Sequence, residues 1–172
     1  NQAYIDIRAF GAVITMKNEL SRGIRGAVSI TEAESIDPVV VTTQQITKSV
    51  SFDAAKGTKG SDTMGSKHRV EYGVYRVNGS INAHACEKNG LTEEDVELIK
   101  QALLTLFEND ESSARPIGSM NVINLYWWEH SSKLGDASSH KVFNSLVITS
   151  DTDEPTSLDD YSFELKEVKG LP

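Results

Sequence analysis

The sequence predicts an α+β fold, and three observations predict it. Runs rich in β-branched and aromatic residues fill the chain before residue 85. One strongly marked amphipathic helix follows Thr92. Extended runs then resume, so the order is strand, strand, strand, helix, strand, strand rather than a regular alternation. No internal repeat or low-complexity linker is visible, and 172 residues suffice for one core.

Residues 4–15 (YIDIRAFGAVIT) alternate at first and then turn continuously apolar, which predicts a strand entering the core. Residues 18–26, with Arg22, Gly23, Arg25 and Gly26, read as a loop, and residues 27–33 as a second strand. Asp37-Pro38 punctuates; residues 39–43 and 44–50 continue as an extended segment. Residues 51–66 carry Gly57, Gly60 and Gly65 among polar residues and predict a long flexible excursion. Residues 72–85 read as the next strand.

Thr92 is a good N-cap, and Glu93, Glu94 and Asp95 favour the positive end of the helix dipole. Val96, Ile99, Leu103 and Leu106/Phe107 follow at helical spacing, widened by Leu98 and Ala102, so this helix is expected to lie on a sheet and end near Asn109-Asp110. Residues 120–129 (MNVINLYWWE) predict an apolar, aromatic strand. Residues 141–150 read either as a short helix passing into a strand or as a strand alone. Residues 163–168 alternate as an edge strand would.

Composition excludes several classes. No apolar stretch approaches the ~20 residues of a membrane span. Residues 1–8 have neither the basic start nor the apolar centre of a secretory leader. A single cysteine, Cys86, cannot form an internal disulfide and fits a reducing cytoplasm. The net charge of −8 argues against a generic nucleic-acid coat, but its distribution is uneven. Residues 41–80 hold six Lys/Arg against three acids, and residues 150–169 hold seven acids against two lysines.

The most informative run is TMGSKHRVEYGVYRVNGSI, residues 63–81. A cationic stretch (Met64-Gly65-Ser66-Lys67-His68-Arg69) leads into a Val/Tyr-rich strand. A basic arm anchored on a sheet is a physical means of holding a phosphate backbone, and an apolar tip such as Met64 can wedge between bases. The competing reading is a solvated surface with uneven charge.

Other chemistries find little support. His84 and Cys86 would share a face of a strand, but no second pair at ligand spacing completes a zinc site. There is no G-x-S-x-G elbow, P-loop or G-x-G-x-x-G. Asp159-Asp160 reads as solvated loop, and Ser139-His140 is only a sequence neighbour pair. Trp127-Trp128 can stack on bases, but alternation along a strand predicts one indole in the core and the other partly exposed.

Nine segments, in order, resemble the backbone subunit of type I CRISPR surveillance (Cascade) complexes, the Cas seven family, and most nearly its subtype I-C form. They are YIDIRAFGAV (4–13), IRGAVSI (24–30), SIDPVV (35–40), ITKSV (46–50), TMGSKH (63–68), YGVYR (72–76), LTEEDVELIKQALLTLFEND (91–110), LGDASSHKVF (134–143) and DYSFEL (160–165). The chain departs from the family pattern at Ser66, where an Arg is usual, at Glu71, where a Pro is usual, and at Ser80, where an aromatic is usual. The usual first strand and helix of the family lie upstream of the segment matching 4–13, so the resemblance implies a fragment.

By that resemblance the fold is a single, partial, RNA-recognition-motif-like (ferredoxin-like) domain with a thumb-like hairpin insertion at about 48–72. The sheet faces RNA, helices cover its other side, and copies polymerise head to tail along the guide RNA (crRNA). Target DNA is read through the guide by base pairing. The implied partners are crRNA, further copies of the chain, and Cascade subunits of the Cas five and Cas eight types; no membrane, cofactor or metal is implied. Met64 is the candidate wedge, with Lys67, His68 and Arg69 as phosphate or sugar contacts. Gln45, Thr47 and Lys48 are candidates for the RNA groove. Arg8, Arg22 and Arg25 are further candidates, although Arg8 has the alternative of pairing with Asp6 or another buried carboxylate. Two other readings stay open: an RNA-cleaving backbone subunit of the type III kind, and a protein-interaction domain using the acidic segment.

Overall fold

The computed structural model describes residues 4–15, 21–48, 52–53, 58–59 and 63–171. The elements run α1 (Ile5–Phe10), β1 (Gly11–Ile14), β2 (Arg22–Arg25), β3 (Val28–Ile30), β4 (Glu34–Ser35), β5 (Val41–Lys48), β6 (Phe52–Asp53), β7 (Thr58–Lys59) and β8 (Thr63–Val70). They continue with β9 (Tyr75–Arg76), β10 (Gly79–Ile81), α2 (Ala83–Asn89), α3 (Glu93–Leu104), α4 (Ser139–Phe143), β11 (Leu146–Ser150), a 3-10 turn (Leu158–Asp160) and β12 (Tyr161–Leu165). The fold is α+β, as the sequence predicts. Among the described residues every ladder is two-stranded: β1–β2, β3–β10, β4–β9, β5–β8, β6–β7 and β11–β12. Contacts divide the chain into two compact units, one of Asn1–Glu32, Asn78–Leu146 and Leu165–Pro172, the other of Ala33–Val77 and Val147–Glu164.

The first unit is organised by small residues and one carboxylate. The segment 5–10 is a helix, not the expected strand: six residues with only Ala9 buried are too few to reveal a period. The turn closes through Arg8 N to Tyr4 O at 3.2 Å. Gly11 ends the helix at φ +81, a conformation that side chains disfavour, and a Cβ there would sit 2.1 Å from Ile24 O. A Cβ on Gly26 would sit 2.2 Å from Ala9 O. Ala9 and Ala27 are accordingly the most buried core residues, 1% and 2% exposed. This close approach aligns β1 with β2, so 22–25 is a strand where a loop was expected.

Leu91 and Ile99 complete that core, with Val28, Ile81, Ala85, Cys86, Val96 and Leu103 packed around it. The expected strand over 72–85 is instead two short strands followed by α2. The Asn82 side chain accepts a hydrogen bond from Ala85 N at 2.9 Å, a local bond that competes with a ladder, and Gly90 ends the helix at φ 74. His84 and Cys86 therefore stand about 200° apart around a helix rather than on one strand face. Burial pushes the Cys86 thiol up.

Thr92 caps α3 as predicted, in a reciprocal capping box with Asp95. The Asp95 carboxylate also takes Arg8 bidentately, Nε to Oδ2 at 3.1 Å and Nη2 to Oδ1 at 2.6 Å. The Arg8 hydrogen bond and the Thr92 backbone hold that carboxyl below its ordinary pKa. The helix stops at Leu104, earlier than expected: Thr105 Oγ1 bonds back to Gln101 O at 3.0 Å, and Leu106 is exposed.

Residues 120–130 form no strand among the described residues. Their β-propensity meets no partner; packing fixes them instead. Trp128 joins a second small core with Val142, Val168, Leu171, Ala137 and Phe143. Its ring lies 6.2 Å from that of Tyr126, and Lys100 Nζ stands 5.4 Å from the Trp127 ring centroid. Both indoles are half-buried, not split between core and surface. Residues 141–150 take the helix-then-strand alternative, and Ser145 Oγ bonds Val142 O at 2.7 Å where they join. The expected edge strand over 163–168 starts and ends earlier, at Tyr161–Leu165, because Val168 belongs to the second small core.

In the second unit β4 pairs with β9 (Glu34↔Arg76) and β5 with β8 along eight positions. The expected flexible excursion over 51–66 is in part outside the described residues, but 63–66 belong to β8, where strand pairing supplies their backbone partners. Asp37 accepts from Ser150 Oγ at 2.9 Å, and burial together with Asp37 pushes the Tyr161 phenol up to about 12. Asp160, expected as simple solvated loop, receives Thr156 N and Ser157 N at 2.8 and 2.9 Å and closes the 3-10 turn.

Two outcomes follow for stability. Gly26→Ala costs about 3 kcal/mol or more by urea unfolding, since backbone and not a pliable side chain blocks the added carbon. Gly23→Ala, in open space, stays within about 0.5 kcal/mol. Asp95 binds a proton less readily folded than unfolded, so its contribution is present above the ordinary aspartate pKa and is lost as pH falls through the lowered one. Stability measured between about pH 4 and pH 2 therefore falls less steeply in Asp95→Asn than in the unaltered protein.

Candidate nucleic-acid interface

Seven of the ten residues singled out by sequence stand on one two-stranded ribbon. The ladder between β5 and β8 sets Val41 opposite Val70, Thr42 opposite Arg69, Thr43 opposite His68, Gln44 opposite Lys67, Gln45 opposite Ser66, Ile46 opposite Gly65, Thr47 opposite Met64 and Lys48 opposite Thr63. The residues form strands because Val, Thr and Ile recur along β5 and the backbone pairs throughout.

Side chains alternate along a strand, and directly opposed residues share a face. The register therefore divides the candidates. Lys67 and Arg69 share a face with Thr42, Gln44 and Ile46, and Lys48 falls at the same parity. Met64 and His68 share the other face with Thr43, Gln45 and Thr47. The sequence run TMGSKH does not show that its methionine and its lysine point to opposite sides. Apart from Thr42, the side chains at 41–47 and 64–70 are exposed, Met64 at 69%.

Each face has internal contacts. On one, Thr43 Oγ1 and His68 Nδ1 are 2.9 Å apart, and Gln45 Nε2 reaches Met64 Sδ at 3.3 Å. On the other, Arg69 Nη2 donates to both oxygens of Glu71 at 3.1 and 3.2 Å, and Thr42 Oγ1 donates to Glu71 Oε1. The Thr42 hydrogen bond, then Arg69, hold the Glu71 carboxyl below its ordinary pKa. Sequence reading missed this trio. The only signal for it was the acid standing two residues beyond Arg69.

The remaining candidates belong to the other unit. Arg22 and Arg25 are exposed on β2, opposite Ile14 and Gly11. A shallow hollow beside them is lined by Phe10, Gly11, Val13, Ile24 and Arg25. Arg8 has taken the carboxylate alternative: it is 12% exposed and paired with Asp95. Among the described residues no three His, Cys, Asp or Glu side chains gather as metal ligands, and no helix is long and apolar enough to cross a membrane.

No curated protein matches the chain. The family model for CRISPR-associated protein Cas7 matches residues 1–166, nearly its whole length. The chain belongs to the Cas7 family of CRISPR-associated proteins.

Proposed function

We propose that this protein is a non-catalytic, cytoplasmic guide-RNA-binding backbone subunit of a type I CRISPR interference complex, of the subtype I-C form, which polymerises along crRNA and presents it to target DNA. Family membership supports a CRISPR-associated backbone role. The observation that carries the RNA reading is the β5–β8 ribbon, a paired arm on which Lys67 and Arg69 are exposed.

The two faces suit two jobs. Lys67 and Arg69, with Lys48 at the same parity, provide the charge that attracts ribose-phosphate. Met64, on the opposite face with His68, provides an apolar, polarisable tip that can enter a base step. A strand threaded past such an arm meets charge on one side and a wedge on the other. Further copies of the chain and subunits of the Cas five and Cas eight types would assemble around the same guide. Among its described residues the ribbon presents no paired carboxylates, and nothing there specifically favours the RNA-cleaving reading.

Binding of a short single-stranded RNA to the full protein is the test. Lys67→Gln with Arg69→Gln weakens binding, leaves the far-UV spectrum unchanged, and reduces the magnitude of the salt slope by about 1.4, near 0.7 for each lost phosphate contact. Unchanged affinity at matched salt would contradict the site, and no affinity at low ionic strength would overturn the function. Met64→Ala lowers affinity while leaving the salt slope in place, because the contact it removes is apolar.

A further inference from the structure

We propose that Glu71 is a built-in anion that occupies the Arg69 guanidinium until an RNA phosphodiester displaces it, so that this carboxylate attenuates the grip of the ribbon on its guide. The inference rests on the reading of Arg69 as a backbone contact and adds to it the group with which RNA competes.

A carboxylate and a phosphodiester each offer two oxygens to the planar fork of an arginine. Glu71 uses both, at 3.1 and 3.2 Å from Arg69 Nη2. The acid is held in place. Its backbone N–H donates to Val40 O at 3.0 Å just beyond the end of the ladder, and Thr42, directly opposite Arg69, donates its hydroxyl to the carboxylate. Glu71 is therefore ionised and pre-aimed at the cation in the free protein. The pair is also reachable, with side chains 59% and 42% exposed. Exposed ion pairs are weak, so the lock is one that an incoming phosphate can open. A solvated pair of no consequence for RNA would have the same distances; the difference lies in what happens to affinity when the acid is neutralised.

The experiment measures equilibrium binding of a short unstructured RNA at fixed salt to the full protein and to Glu71→Gln, Thr42→Val, Arg69→Gln and the Arg69→Gln/Glu71→Gln double variant, each checked for an unchanged thermal melt. Glu71→Gln should tighten binding about two- to fivefold, the range open to one exposed ion pair. Thr42→Val, which loosens the acid without changing net charge, should give a smaller gain in the same direction. The gain from Glu71→Gln should vanish when Arg69 is already Gln. A gain that persists without Arg69 marks a general charge effect and overturns the proposal, as does unchanged or weaker binding in Glu71→Gln. Loss of affinity in Arg69→Gln beside a neutral Glu71→Gln defeats the proposal about Glu71 alone. Unchanged affinity in Arg69→Gln defeats the reading of Arg69 as well.

Discussion

Asp95 carries two obligations on one carboxylate. It closes the first turn of α3 by accepting from Thr92, and it receives the guanidinium of Arg8 from a helix 87 residues earlier. Both partners need the charged form, and the site is nearly dry, so removing either group strands a charge in a poor solvent for it. That one junction joins α1 to α3. Around it Gly11 and Gly26 bring backbone against backbone, where an added Cβ would sit 2.1 and 2.2 Å from carbonyl oxygens, beside the buried Ala9 and Ala27. The small core of Leu91 and Ile99 is built on a crossing that tolerates little revision.

The ribbon obeys a different logic. Its order comes from a ladder of backbone pairs, with both faces turned outward, and an isolated two-stranded hairpin is only marginally stable in water. A surface of this sort gains by acquiring a partner. The pleat then decides what the partner meets: cations at one parity, methionine and histidine at the other. Sequence adjacency of Met64 and Lys67 thus becomes separation in space, which is what an arm needs if it is to hold a strand electrostatically and distort it with an apolar tip.

How much of this was legible beforehand varies with the range of the interactions. The α3 cap was plain because Thr92 and Asp95 lie within one turn, and the extended run ending at Lys48 was plain because β-branched residues persist along it. Short segments were harder. The first helix has six residues and buries only Ala9, so it displays no period of its own. The helix at Ala83–Asn89 had both terminal signals, Asn82 and Gly90, but followed a Val/Tyr run that drew the eye to a strand. MNVINLYWWE has the composition of a strand and lacks a ladder among the described residues, since propensity does not supply a neighbour. At the ribbon the residue types were legible and the division between faces was not, because residues 51–66 read as a flexible excursion and alternation applies only where Met64 and Lys67 share a paired strand. The Thr42–Glu71 and Arg8–Asp95 contacts join distant segments, and a single sequence does not reveal its own long-range pairs.

Both tryptophans, Trp127 and Trp128, belong to the first unit, whereas the second carries the phenols Tyr72, Tyr75 and Tyr161 and no indole. Indole emission is therefore a lamp hung in one room. It registers the packing of Trp128 against Val142 and the approach of Lys100 to Trp127. Indole emission from this protein therefore describes the first unit, and the ribbon itself holds neither an indole nor a phenol.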